Sequence, residues 1–272
     1  MLINCHTHTM RSHDSAADPF EICANAVKSG LGGVMFTDHC DCEFCESTDF
    51  DQIFSSANQD FHAVKREFED KLQLFFGIEL GDPLYAPAFA DQIIRAHAFD
   101  SVLLSVHAVR YPEFEEPFSR IDFSFADNAF IFGYLEHYFN DILASVRQFD
   151  FDILCHLTVP LRYLVLKYKK QVDLSCYSAL IDRILEELIS RDKCLEINTS
   201  ALVLPGGFPM PDETIIDRYI SLGGTHFCIG SDAHTPGNIA AGLEQAVKLL
   251  LKKNIKSLCC YKNRQRLGYE IC

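Results

Sequence analysis

Short apolar runs alternate along the chain with longer stretches whose apolar residues recur every three or four positions. The runs at 2–5, 33–37, 74–78, 101–106, 152–155, 194–197 and 227–230 predict strands, several of them apolar throughout, as in a sheet covered on both faces. The stretches at 18–29, 58–71, 87–98, 129–149, 177–191, 212–222 and 236–253 predict helices. In the first helix Asp18 stands at the N-cap with Pro19 behind it, and Gly30 and Gly32 close the segment. A last apolar run, 256–260, fits either an eighth strand or a tail. Residues 41–56 and 111–128 keep neither period and read as long loops, which in such folds belong to the site.

About seven β/α units with no linker, repeat or low-complexity segment favour one α/β barrel domain over residues 1–272. With 48% apolar residues the chain can fill such a core. No signal-peptide pattern opens it and no run reaches the length of a membrane span, so the expectation is a cytoplasmic protein without membrane contact. That expectation decides how the 12 cysteines are read. Cys5, Cys155, Cys194 and Cys228 sit in apolar runs and behave as small buried hydrophobes, not disulfide partners. A net charge of −14 opposes a nucleic-acid polymer as partner, but bound dications can still attract a small anion. Lys248, Lys252, Lys253 and Lys256 read as a solvated helix face.

The candidate chemistry keeps phase with the strands. His6 and His8 follow the first, Asp38 and His39 the second, Glu79 the third, His107 the fourth and His156 the fifth, while Asp232 and His234 follow the seventh. Barrels of this class build their sites at those strand ends. His6-x-His8 on an extended segment points both imidazoles to one side. Imidazole suits Zn, Fe and Mn, and Glu79 and Asp232 add harder oxygen donors. A carboxylate can bridge two cations, which makes Glu79 the natural shared ligand of a metal pair able to activate water and stabilise in-line displacement. Taken singly, His107 or His156 reads as a packed histidine and Asp38 or Asp232 as a helix or loop cap. The joint placement outweighs those readings. His62 and His137 fall within helices, and His97 and His226 flank strands, so these four read as structural. Cys40-x-Cys42-x2-Cys45 is a single cluster, where zinc sites usually pair two. No Walker-type loop and no serine nucleophile elbow is present.

His6-Thr7-His8-Thr9, Thr37-Asp38-His39, Gly77-Ile78-Glu79, Ser105-Val106-His107, Cys155-His156 and Gly230-Ser231-Asp232-Ala233-His234 together resemble the polymerase-and-histidinol-phosphatase (PHP) family, in particular its stand-alone histidinol-phosphatase branch. The resemblance spans residue 1 to about 240. It implies a distorted seven-stranded TIM-like barrel with two to three divalent metal ions (Zn, Mn or Fe) at the C-terminal strand ends. His6, His8, Glu79 and Asp232 would hold the first ion, and Glu79, His107 and His156 the second. His39, His234 and Asp14 would hold the third, with His13 beside Asp14 as the alternative ligand. Arg162 would contact phosphate, Asp232 would take or orient the proton of the nucleophile, and His234 would pass one to the leaving alkoxide. The implied activity is hydrolysis of a small phosphorylated metabolite, histidinol phosphate as the single best choice. Val203 stands where that branch commonly has a second arginine, and Arg110 is the candidate to compensate. The alternatives are a nucleotide phosphatase or phosphodiesterase of the same family, a C–N or ester hydrolase, and a metal-binding regulatory module without turnover. The oligomeric state is not legible.

Overall fold

The computed structural model describes residues 1–42 and 50–271. Its strands are β1 (Ile3–Asn4), β2 (Gly33–Phe36), β3 (His39–Asp41), β4 (Gln73–Gly81), β5 (Ser101–Ser105), β6 (Ile153–Leu154), β7 (Cys194–Asn198) and β8 (Phe227–Gly230). They lie parallel in the order β1-β2-β4-β5-β6-β7-β8, with β3 also on β4. Strands β2 and β3 share one line, interrupted where the Thr37 N–H leaves the ladder and donates to the Thr7 carbonyl at 2.8 Å. The sheet closes on itself. Cys5 N–H donates to the Ile229 carbonyl, Asp232 N–H to the His6 carbonyl and His8 N–H to the Ala233 carbonyl, at 2.9, 2.9 and 3.0 Å. Closure removes the exposed edges that an open sheet would leave.

Around the barrel run α1 (Pro19–Lys28), α2 (Phe50–Phe68), α3 (Pro87–Ala96), α4 (Asn128–Gln148), α5 (Ser178–Ser190), α6 (Glu213–Ser221) and α7 (Leu243–Lys252). Aspartates start three of them by accepting backbone N–H groups: Asp18 from Phe20 at 2.7 Å, Asp127 from Phe130 at 2.8 Å and Asp212 from Thr214 at 3.0 Å. Helix α2 begins inside the stretch expected as loop. Its buried face, Phe50, Ala57, Phe61, Val64 and Phe68, holds helical spacing, but Asp, Ser, Asn and Gln between those residues hide it. Residues 111–127 are irregular apart from one 3-10 turn, Phe123–Phe125, and Asn128 already opens α4. The helix expected over 236–253 divides into a 3-10 turn, Pro236–Asn238, and α7. On α7 Lys248 is solvated, whereas Lys253 just beyond is largely covered and pairs with Asp217 at 2.6 Å and Glu213 at 3.4 Å.

The run at 256–260 is neither an eighth barrel strand nor a tail. It forms β9 (Ser257–Lys262), which pairs antiparallel with β10 (Gln265–Glu270). This hairpin closes the end of the barrel where the strands begin. Its turn receives support from residues just ahead of three strands: Arg264 N–H donates to the Asp100 carbonyl at 3.0 Å, the Arg264 guanidinium pairs with Asp152, and Arg266 pairs with Asp192 at 2.8 Å. Cys259, Cys260 and Tyr261 complete a barrel interior otherwise made of Ile3, Met35, Phe75, Leu103, Ile153 and the thiols of Cys5, Cys155, Cys194 and Cys228. A second and larger core lies between the sheet and the helices. Among the described residues no helix is long and apolar enough to cross a membrane.

If the hairpin is part of the core, its two strands respond differently to truncation. Leu258 is 0% exposed and Leu267 is 42% exposed. Leu258→Ala should destabilise the protein by about 2–5 kcal/mol and Leu267→Ala by less than about 0.5 kcal/mol, read from denaturant unfolding. Equal small effects would show that the hairpin is a loose appendage.

Candidate metal centre

The strand ends opposite the hairpin bring every proposed ligand into one cluster. Glu79 stands two residues before the end of β4, is 1% exposed and lies against five histidines. Its Oε2 is 3.2 Å from His6 Nε2, 3.3 Å from His8 Nε2 and 3.1 Å from His39 Nδ1. Its Oε1 is 3.1 Å from His107 Nε2 and 2.9 Å from His156 Nε2. Asp232 Oδ1 stands 3.2 Å from His8 Nε2 and 3.8 Å from His6 Nε2, which are themselves 3.1 Å apart. Asp14 joins His234 at 3.1 Å and His39 at 3.7 Å, so His39, His234 and Asp14 are gathered as expected. The His8 ring stacks against those of both His39 and His234, with centroids 4.2 and 4.1 Å away. His13, in contrast, is half exposed and approaches Asp41 and the His39 ring.

These separations fit a coordination shell. Ligand atoms about 2.0–2.1 Å from a tetrahedral ion lie about 3.3–3.4 Å from one another, close to the spacing of His6, His8, Glu79 and Asp232. The far sides of four of the rings are also fixed, leaving Nε2 to face inward. His6 Nδ1 is 2.7 Å from Glu196 Oε1, His8 Nδ1 is 3.0 Å from Ser12 Oγ, His107 Nδ1 is 3.1 Å from Asp41 Oδ1, and His234 Nδ1 is 3.0 Å from the Asp232 carbonyl. Acceptors of this kind select the tautomer that presents its other nitrogen to an ion. Ser12 is saturated in doing so: its hydroxyl accepts from His8 Nδ1–H and from the His39 N–H at 3.1 Å, and donates to Asp38 at 2.9 Å. Asp38 therefore does not face the centre. It braces the loop after β1, accepting also from Thr9 N–H and Thr9 Oγ at 2.6 and 2.7 Å.

Space for the second carboxylate layer comes from two glycines. A Cβ on Gly230 would lie 2.2 Å from Glu196 Oε1, and one on Gly81 would lie 2.0 Å from Asp41 Oδ1. Asp232 itself sits in the left-handed region with φ 52°, a conformation an aspartate tolerates at modest cost and the two hydrogen bonds of barrel closure hold.

Without an ion, so many buried acids and imidazoles charge one another. Burial alone would lower the basicity of His6, but Glu196 and Glu79 carry it well above its usual range. Burial likewise opposes His39, yet Asp41 and Glu79 push it up to about 9. His8 goes the other way, to about 3, through burial and the positive charge of His39 and His234. Burial would raise the Glu79 and Asp232 carboxyls, but the surrounding imidazoliums hold both well below the usual carboxylate range.

A cleft of about 110 Å³ opens onto this cluster, with Arg162, Tyr163, Phe118 and Arg120 on its walls. Arg162 Nη1 donates to Ser200 Oγ at 3.3 Å, and Ser200 Oγ lies 3.4 Å from Asp232 Oδ2. Arg110 does not compensate for Val203. Its guanidinium is bound to Asp141 at 2.7 Å, outside the cleft lining, and Val203 is exposed. Cys40 and Cys42 are buried in the outer core, and Cys45 lies outside the described residues. His97 packs on Phe54 and meets Asp51, His226 meets Asp192, and His62 and His137 are exposed. A larger groove, about 910 Å³, runs between α5 and α6 and has no histidine in its lining.

Sequence reasoning missed Glu196, Asp41, Ser12 and Arg120. Two of them left a signal. Asp41 stands two residues after His39 on an extended segment and so shares its side, and Glu196 is a lone charge inside an apolar strand, where only a partnered acid is tolerated.

Residues 4–200 match the PHP domain. A probable histidinol-phosphatase of Thermotoga maritima is 31% identical over 94% of this chain and 94% of its own length. The histidinol-phosphatase of Lactococcus lactis is 25% identical over 95% and 94%. A solved structure of the histidinol phosphate phosphatase from Lactococcus lactis, complexed with Zn, L-histidinol and phosphate, superposes with a TM-score of 0.79 at 24% identity, covering 98% of each chain.

The electrostatics give a pH test of metal-free protein. A histidine raised to about 9 contributes stability that is complete below its unfolded value of about 6.5 and is lost as pH climbs through 9. Thermal midpoints of metal-free protein should therefore fall between about pH 6.5 and 9, and saturating Zn²⁺ should flatten the fall because the ion replaces the proton. A flat metal-free profile would contradict this reading of the cluster.

Proposed function

The chain belongs to the PHP family, and from that premise we propose that it is a metal-dependent phosphatase acting on a small phosphomonoester, with histidinol phosphate as the substrate its relatives indicate. The observation that carries this reading is the convergence of Nε2 and carboxylate donors at ligand spacing beside Arg162 in one cleft. The donor set fits divalent ions, with His6, His8, Glu79 and Asp232 around one, Glu79, His107 and His156 around a second, and Asp14, His39 and His234 around a third. Zinc, the ion in the Lactococcus lactis protein, suits this mix of imidazole and carboxylate. Bound there, such ions supply positive charge to the phosphoryl oxygens and lower the pKa of water.

The protein's own groups do the rest. Arg162, held by Ser200, presents a planar fork that matches phosphate oxygens and adds charge where they gather. Asp232 Oδ2, turned toward Ser200 and the cleft, is placed to receive or orient the proton of the attacking water. His234 has one ring nitrogen left once Nδ1 donates to the Asp232 carbonyl. That Nε2 can either bind an ion with Asp14 or hand a proton to the leaving oxygen, but not both. Although burial lowers its proton affinity, Asp14 and Asp232 raise it overall, which supports the donor role when two ions are bound. The cleft's small size and the charge of −14 favour a compact phosphate ester over a polymer.

Two sets of variants test the assignment. Glu79→Gln or Asp232→Asn should lower kcat/KM for histidinol phosphate by more than about 100-fold after metal reconstitution, since even outer-shell losses cost 10–100-fold. Retention of most activity by either would sink the proposal. Arg162→Ala should act mainly on KM, raising it about 10-fold or more, as loss of a charged hydrogen bond of about 1.5–3 kcal/mol predicts.

A further inference from the structure

Glu196 is fully buried in the middle of β7 and belongs to none of the three ligand sets. Its two oxygens face different parts of the centre. Oε1 accepts from His6 Nδ1 at 2.7 Å, while Oε2 accepts from the His156 backbone N–H at 2.8 Å and from Asn198 Nδ2 at 3.2 Å. His6 stands in the shell of the first proposed ion and His156 in that of the second. Among the described residues the His156 ring has no hydrogen-bond partner at Nδ1, so no acceptor there orients it from behind as Glu196, Ser12 and Asp41 orient other rings. Its placement rests on its backbone, where φ is 20°, and the N–H of that turn is the one Glu196 holds. The route from β7 to His6 exists because position 230 has no side chain: a Cβ there would lie 2.2 Å from Oε1 and 2.4 Å from His6 Cβ.

We propose that Glu196 is a positioning residue that fixes both ions of the Glu79 pair at once, through the ring of His6 and the main chain of His156. The inference rests on the metal-centre reading given above. Only a carboxylate can serve all three donors, because both of its oxygens accept. An amide in the same place offers one acceptor and sets an NH2 group against another donor. Removing Glu196 thus differs from removing an ordinary acceptor behind one ligand, which would loosen one ion alone. Glu79 joins the two sites from the front and Glu196 joins them from behind.

The test is Zn²⁺ titration of the metal-free full chain in competition with a chromophoric chelator, with total metal counted after gel filtration. In Glu196→Gln, two of the equivalents bound by wild type should weaken together, each by about 10–100-fold, while any third equivalent keeps its affinity. Glu196→Asp keeps both accepting oxygens and should recover part of the loss at both sites. It carries the same comparison if the glutamine variant does not fold. Weakening of one equivalent alone, or unchanged binding in both variants, overturns the coupling while leaving the metal centre standing. A wild type that binds no Zn²⁺ overturns the metal centre and this inference with it.

Discussion

One buried carboxylate organises the working end of the barrel. Glu79 touches five imidazoles from four different strand ends, with almost no access to solvent. A charge in that position is tolerable only where opposite charge and hydrogen bonds surround it. The histidines supply both, and in doing so they stand at the distances from one another that an ion requires. The same electrostatic demand explains the opposite shifts of His8 and His39. Three neighbouring rings cannot all be protonated, so His8, the most deeply buried and in contact with both others, yields.

The surrounding structure serves to hold that arrangement still. Backbone bonds from β1 to β8 lock His6, His8 and Asp232 into one register, and the interrupted line of β2 and β3 sends His39 and Asp41 back toward the centre. Strand glycines remove the Cβ atoms that would block Asp41 and Glu196. These choices make sense only together. A side chain at position 81 or 230 would leave the ligands present in sequence but mis-aimed in space.

Much of this was legible before any coordinates. The alternation of apolar runs gave the positions of seven strands, and the phase of His6, Glu79, His107, His156 and Asp232 against their ends pointed to one cluster, because a barrel collects those ends on one face. What stayed hidden depends on side-chain direction. Arg110 looked free to reach phosphate, but Asp141 on α4 holds it elsewhere. Asp14 and His13 differ by one residue in an irregular loop; the family's spacing favoured Asp14, and Asp14 is the one that meets His234. The start of α2 was masked by polar residues on its solvent face, and the hairpin of β9 and β10 by a second strand with little apolar pattern, Gln265–Glu270.

That hairpin also bears on how the molecule is made. The first strand finds its second neighbour, β8, only after more than two hundred intervening residues, and the barrel floor is filled by residues further along still. During synthesis the earlier strands must wait as an open sheet with thiol-rich inner faces uncovered, since the contacts that complete them are the most distant in sequence. Asp232 arrives in the same late stretch. An incomplete chain would therefore hold most of the histidines yet lack Asp232, so the grouping of His6, His8, Glu79 and Asp232 is completed only when β8 closes the barrel.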